Sequence, residues 1–228
     1  EDREISAWFL LDLSGSMDFG SSDVSKRDVM LRFVAVMAKL LMKRGNRIGA
    51  LLLNPAEPEG FKYIPARMHR RHLLHLLHVL EASPVSQQSH QTRLTDWLRK
   101  ANSLLKRRSS VFVVSDFMGA FNWATELSAL GQRHETIAVR LFDPAEINLP
   151  NAGLVLLQDS ETSEQLLLDT ANPTFRTRYA QTVEKREQQL AETFAHAGVD
   201  ALELSTDEDL ASALIRFSEL RKRRVWHA

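Results

Sequence analysis

The chain has 228 residues, 44% of them apolar and 25% charged, an ordinary balance for a soluble globular protein and enough to bury a full core as one large domain. Lysine plus arginine equals aspartate plus glutamate at 29 each, so no overall field draws the chain to nucleic acid or to an anionic membrane. The absence of cysteine excludes a disulfide framework, a thiolate metal site and a cysteine nucleophile, and no apolar run approaches the roughly 18–20 residues that span a bilayer; a cytoplasmic location is expected.

The first apolar run, ISAWFLLD, predicts a strand buried on both faces that ends at Asp12 and delivers Ser14 and Ser16 into a loop. In Asp-x-Ser-x-Ser, alternate residues of a curling loop point to one side. Asp12, Ser14 and Ser16 therefore suit a hard cation such as Mg²⁺, which takes about six oxygens and is usually held by only one or two carboxylates. The competing reading is an ordinary turn in which Asp and Ser bond their own backbone. Ser25 then caps a helix with Val29, Phe33, Val36, Met37 and Leu40 at helical period, ended by Gly45. RIGALLLN reads as the second strand, and FKYIP as an edge strand because of Pro65.

The segment 67–82 is a predicted helix carrying His69, His72, His75 and His78. Three-residue steps drift round a helix, so a solvated face outweighs metal ligation here. Thr92 lies in a loop before a helix with Leu94, Leu98, Ala101 and Leu105 on one face. SSVFVVSD predicts a strand ending at Asp116, followed by a helix capped by Asn122 with Leu127 and Leu130 inward. ETIAVRLFD is a further strand ending at Asp143, with a turn role before Pro144. LVLL and QLLL flank Asp159 and Ser160 as an inserted hairpin. Asn172 and Pro173 open a long helix with Phe175, Tyr179, Val183, Leu190 and Phe194 inward, stopped by Gly198. DALELS is the last strand, and Ser205 with Glu208 forms a capping box for a final helix burying Leu210, Leu214 and Phe217. Its basic end, Arg221 to Arg224 with Trp226, reads as a solvated helix terminus.

Strands alternating with helices predict an α/β domain, with a mostly parallel sheet covered by helices on both faces. Such sheets bind ligands beyond the carboxyl ends of their strands, where strand order reverses. Asp12 and Asp116 both follow strands, so the sheet is expected to bring their loops together.

The set Asp12, Ser14 and Ser16 in DLSGSM, Thr92 in HQTRLT and Asp116 in VVSDF resembles the metal-ion-dependent adhesion site of von Willebrand factor A-type domains. In that family one loop gives Asp and two Ser, a second gives Thr and a third gives Asp. LLDLSGSMDFGS, VVSDF, LFDPAE and VDALELSTDEDL are similar to the bacterial von Willebrand A-like proteins associated with MoxR-type AAA+ ATPases. Gln91 and Arg93 around Thr92 depart from the small or acidic residues common there.

This resemblance implies one Rossmann-like domain over 1–228, from a longer chain with a further N-terminal segment. It also implies a bound Mg²⁺ or Mn²⁺. The expected function is non-catalytic: the ion captures an acidic side chain of a protein partner, and a MoxR-type ATPase acts alongside in complex maturation or chaperoning. No nucleic acid is expected, nor membrane contact by this segment. The alternatives are a metal-dependent phosphatase or hydrolase with Asp12 as nucleophile, and a structural domain with a vestigial site. Against the hydrolase, Ser14 stands where an aspartyl-phosphate enzyme places its second acid.

Overall fold

The computed structural model describes residues 6–84, 94–158 and 165–225. In chain order, β1 (Ser6–Asp12) leads through a short 3-10 turn (Gly15–Asp18) to α1 (Lys26–Lys43), β2 (Arg47–Leu53), β3 (Phe61–Arg67) and α2 (Arg70–Ala82). Then come α3 (Leu94–Leu104), β4 (Ser110–Ser115), α4 (Ala124–Arg133), β5 (Glu135–Phe142) and the one-turn α5 (Pro144–Ile147). The hairpin β6 (Leu154–Gln158) and β7 (Gln165–Asp169) precedes α6 (Pro173–Ala197), β8 (Asp200–Ser205) and α7 (Leu210–Val225).

Six strands form one sheet in the order β3-β2-β1-β4-β5-β8, parallel throughout except for β3. The α/β architecture expected from the alternating pattern is therefore the one observed. β3 is antiparallel on the edge, where Pro65 needs no ladder donor, and the register shifts beside it. β6 and β7 form a separate two-stranded antiparallel sheet. From β1 the chain builds outward to β2 and β3, then returns past β1 to lay down β4, so strand order reverses between β1 and β4.

Side chains alternate through the sheet into two cores. Phe9, Leu11, Ala50, Leu52, Phe112 and Val114 pack toward Met30, Phe33 and Val34 of α1 and Leu76 and Leu80 of α2. Trp8, Leu10, Leu51, Val111 and Val113 pack toward Trp97 and Leu98 of α3, Leu127 and Leu130 of α4, and Leu190 and Phe194 of α6. Both faces of β1 and β4 are covered, which is why their sequences are nearly unbroken apolar runs.

The local signals were met unevenly. Ser25 caps α1 in a reciprocal box with Asp28, and Asn172 caps α6, which ends at left-handed Gly198. Asn122 does not cap α4. That position belongs to Trp123, while the Asn122 side chain accepts a bond from Thr95. Nor do Ser205 and Glu208 form a capping box. α7 starts later, where Asp209 accepts both bonds of Ser212, and Glu208 pairs with Arg216 instead. In α2, His72 faces the sheet and bonds the Ile48 carbonyl at 2.9 Å beside buried Leu76 and Leu80, whereas His75 and His78 are exposed. Phe175, Tyr179 and Val183 are only partly buried, and the fully buried positions of α6, Leu190, Phe194 and Ala197, lie in its second half.

Candidate functional site

β1 and β4 lie side by side; β1 ends in Asp12 and β4 is followed directly by Asp116, at the same edge of the sheet. Asp12 is fully buried. Its Oδ1 accepts the Ser14 amide at 2.9 Å and its Oδ2 accepts the Ser115 hydroxyl at 2.7 Å, a bond between the two strand ends. The Ser115 hydroxyl also accepts the Phe117 amide at 3.0 Å, which helps hold Phe117 at a φ of 53°. A left-handed aromatic is uncommon, and this one is locked by packing against Trp123 and Phe194. The resulting bend lets the Met118 amide reach Asp116 Oδ1 at 3.0 Å.

Two hydroxyls complete the cluster. Ser14 and Ser16 place their Oγ atoms 3.1 Å apart, and the Ser16 hydroxyl also supports the charge on Asp116. Ser14 is buried, while Ser16 is partly open to solvent. The loop returns tightly to α1: a Cβ on Gly20 would sit 2.3 Å from the Val24 carbonyl, so only glycine fits there.

The cation at this site comes from the protein. Lys26, the first residue of α1, is completely buried and donates to Asp116 Oδ2 at 2.9 Å and to Glu146 Oε1 at 2.6 Å. Glu146 is held in turn by the Asp143 amide on its other oxygen, and Asp143 caps α5. The Asp143 carboxylate, also buried, accepts the Ser21 amide, the Thr206 hydroxyl and the Ala145 amide. It thereby joins the first loop to the ends of β5 and β8.

These surroundings split the carboxylates. Burial pushes Asp12 up to about 6, reinforced by the nearby charge of Asp116. Burial pushes Asp116 the same way, but the Lys26 ammonium, the Met118 amide and the Ser16 hydroxyl outweigh it and hold that group below the ordinary carboxylate range. For Lys26 itself, burial opposes the charge, yet Asp116 and Glu146 raise its affinity for the proton above the usual lysine value. Among the described residues, no cation pairs with Asp12.

The structure thus brings together Asp12, Ser14, Ser16 and Asp116. Thr92 lies outside the described residues, as do Asp159, Ser160 and Trp226. Sequence reasoning missed Lys26 and Glu146. Both left a trace: Lys26-Arg27 puts two bases in the first turn of a helix, against its dipole, and Asp-Pro-Ala-Glu is a capping box with Pro at the first position. Arg27 is also committed, to Asp18 and to the Leu80 and Ser83 carbonyls at the end of α2.

The donors suit a hard divalent ion in kind: every candidate ligand is oxygen, and a buried carboxylate without a partner cation stands beside paired hydroxyls. Among the described residues, no group of three or more His, Cys, Asp or Glu is placed to hold an ion alone, so an ion here would need other ligands such as the hydroxyls. Exposed Phe19 and Met118 belong to the loops that carry the cluster.

The chain matches the family described as "Protein of unknown function DUF58" over residues 1–189. It is 32% identical to an uncharacterised protein of Mycobacterium tuberculosis over 224 residues, covering 97% of this chain and 69% of that one. An uncharacterised protein of Mycobacterium avium is 33% identical over 120 residues, 52% of this chain and 69% of that protein. Among solved structures, the chain is similar to an aerotolerance-related membrane protein from Bacteroides fragilis, with a TM-score of 0.58, 12% identity, and 96% and 99% of the two chains covered. It is also similar to the conserved hypothetical protein BatB from Bacteroides thetaiotaomicron, at 0.53 and 13% over 96% and 98%. A third is the VWA domain of SpRpn10, at 0.50 and 10% over 93% and 94%. At these identities the likeness establishes the fold, a von Willebrand A-type domain.

Proposed function

We propose, from the premise that this chain belongs to the DUF58 family of proteins of unknown function, that it is a non-catalytic protein-binding module whose strand-end cluster works with Mg²⁺ or Mn²⁺. The observation that supports this most is the pair of buried carboxylates at the ends of β1 and β4, of which only Asp116 is paired with an ammonium, standing beside two hydroxyls. Ser14 and Ser16 would hold the ion, Asp12 and Asp116 would ligate it or orient its waters, and Thr92 would join by the family resemblance. When bound, the ion supplies a positive centre that accepts one more oxygen ligand.

An acidic side chain of a protein partner fits that vacancy of charge, with Phe19 and Met118 as exposed apolar contacts beside it. The partner we propose is a MoxR-type AAA+ ATPase or its client, in complex maturation or chaperoning in the cytoplasm. This rests on the sequence resemblance. No helix among the described residues is long and apolar enough to cross a membrane.

A hydrolase is the weaker reading. Both oxygens of Asp12 are engaged by the Ser14 amide and the Ser115 hydroxyl, and the position two residues later carries Ser14 rather than an acid. The test is capture of the ATPase by immobilised protein with Mg²⁺ or with a chelator. Retention that needs both Mg²⁺ and an intact Asp12 is the expected result. Retention unchanged by chelation and by Asp12→Ala refutes ion-bridged docking.

A further inference from the structure

Lys26 is the one fully buried lysine among the described residues, and it occupies the first position of α1, where the positive end of the helix dipole disfavours a cation. Such a charge stays in place only because specific acceptors surround it. They come from two different strand ends: Asp116 follows β4, and Glu146 lies in α5 after β5. Glu146 is fixed independently of Lys26. Its second oxygen accepts the Asp143 amide at 2.9 Å, and its carbonyl accepts the Tyr179 hydroxyl at 2.8 Å. The ammonium therefore has a second, prepositioned carboxylate to lean on, whereas the divalent ion of the proposed function needs the one it already touches at 2.9 Å.

We propose that Lys26 is a built-in competitor for the divalent ion: ammonium and ion contest Asp116, and Glu146 retains Lys26 when the ion takes the carboxylate. This rests on the metal-dependent reading above and adds a control to it. With Lys26 in place, the free protein binds the ion weakly. A partner carboxylate that adds negative charge at the site tips the contest toward the ion, so ion uptake and partner docking strengthen each other. Lys26 is here a positioning residue that tunes affinity.

The test titrates the metal-stripped chain with Mg²⁺ by calorimetry, beside Lys26→Gln, which retains a hydrogen-bond donor, and Lys26→Met. Each variant is checked for folding by circular dichroism. Removing a positive charge a few ångströms from the ion tightens binding by about tenfold or more. In the parent protein, labelled with ¹⁵N-lysine, one slowly exchanging ammonium resonance is expected, absent from Lys26→Gln, and it shifts as Mg²⁺ is added. This reading of the parent decides the matter even if neither variant folds. The proposal is overturned if folded Lys26→Gln binds Mg²⁺ no tighter than the parent, or if the resonance stays still while Mg²⁺ binds. Equal binding by parent and variant removes only the competitor role. No binding by either removes the metal-dependent function with it.

Discussion

The ends of β1 and β4 carry the same chemistry in opposite electrostatic states. Asp12 and Asp116 are both buried carboxylates on adjacent parallel strands, each accepting a backbone amide in its own turn. Asp116 is paired with the Lys26 ammonium and titrates low. Asp12 receives hydrogen bonds from Ser14 and Ser115 but no cation among the described residues, and is pushed up to about 6. Hydrogen bonds alone do not offset the cost of burying a charge beside a like one, whereas one well-placed ammonium does. The cluster is one positive charge short, and the shortage sits on the β1 side.

Removing the ammonium should have the largest effect, because it makes the two strand ends alike. Lys26→Met leaves Asp116 buried without its cation and should cost about 3–5 kcal/mol in metal-free protein, read by urea denaturation. Mg²⁺ should recover more stability in this variant than in the parent.

Neutralising the other end should act in the opposite direction. Because the folded pKa of Asp12 lies near 6, above its ordinary 3.8, the folded chain holds the proton longer than the unfolded one. Stability therefore falls as pH rises between about 4 and 6, and the full penalty remains above that. Asp116, with its lowered pKa, does the reverse: its contribution is present above the ordinary carboxylate range and is lost as pH falls. Asp12→Asn should stabilise metal-free protein at pH 7 by about 1–3 kcal/mol, and should remove the decline between pH 4 and 6. A destabilised Asp12→Asn protein would mean that the carboxylate is already compensated.

Ser115→Ala sharpens the comparison, since this hydroxyl serves both ends by donating to Asp12 and accepting from Phe117. A loss of about 1 kcal/mol is expected, with the fall in stability that begins near pH 4 extended to pH values above 6. The smallest effect belongs to the histidine helix: His75→Ala and His78→Ala are on an exposed face and should stay within about 0.5 kcal/mol with Mg²⁺ binding unchanged.

The parts of this site legible in sequence were those dictated by the sheet. A strand covered on both faces must read as an apolar run, so ISAWFLLD and SSVFVVSD announced β1 and β4, and parallel strands bring their carboxyl ends to one edge. Asp12, Ser14, Ser16 and Asp116 follow from that logic. Lys26 did not, because a lysine beside a helix cap ordinarily lies in solvent, and its acceptors Asp116 and Glu146 lie 90 and 120 residues away in sequence. The short helix α5 and its Asp143–Glu146 box were readable from Asp-Pro-Ala-Glu but looked like a simple turn. At α7, the Ser205 hydroxyl donates to Asp207 instead of capping, and Asp209 takes the cap position by accepting from Ser212. Asn122 found a side-chain partner in Thr95 across the gap to α3, a contact no local rule anticipates.

The most direct test of the central claim, that the strand-end cluster is completed by a divalent ion, is calorimetric titration of metal-stripped protein with Mg²⁺ and Mn²⁺ beside Asp12→Asn and Asp116→Asn. The account predicts one site in the parent, abolished in Asp12→Asn and weakened or lost in Asp116→Asn, with both variants folded. Binding that survives in Asp12→Asn, or a folded parent and folded Lys26→Gln that take up neither ion, would contradict it.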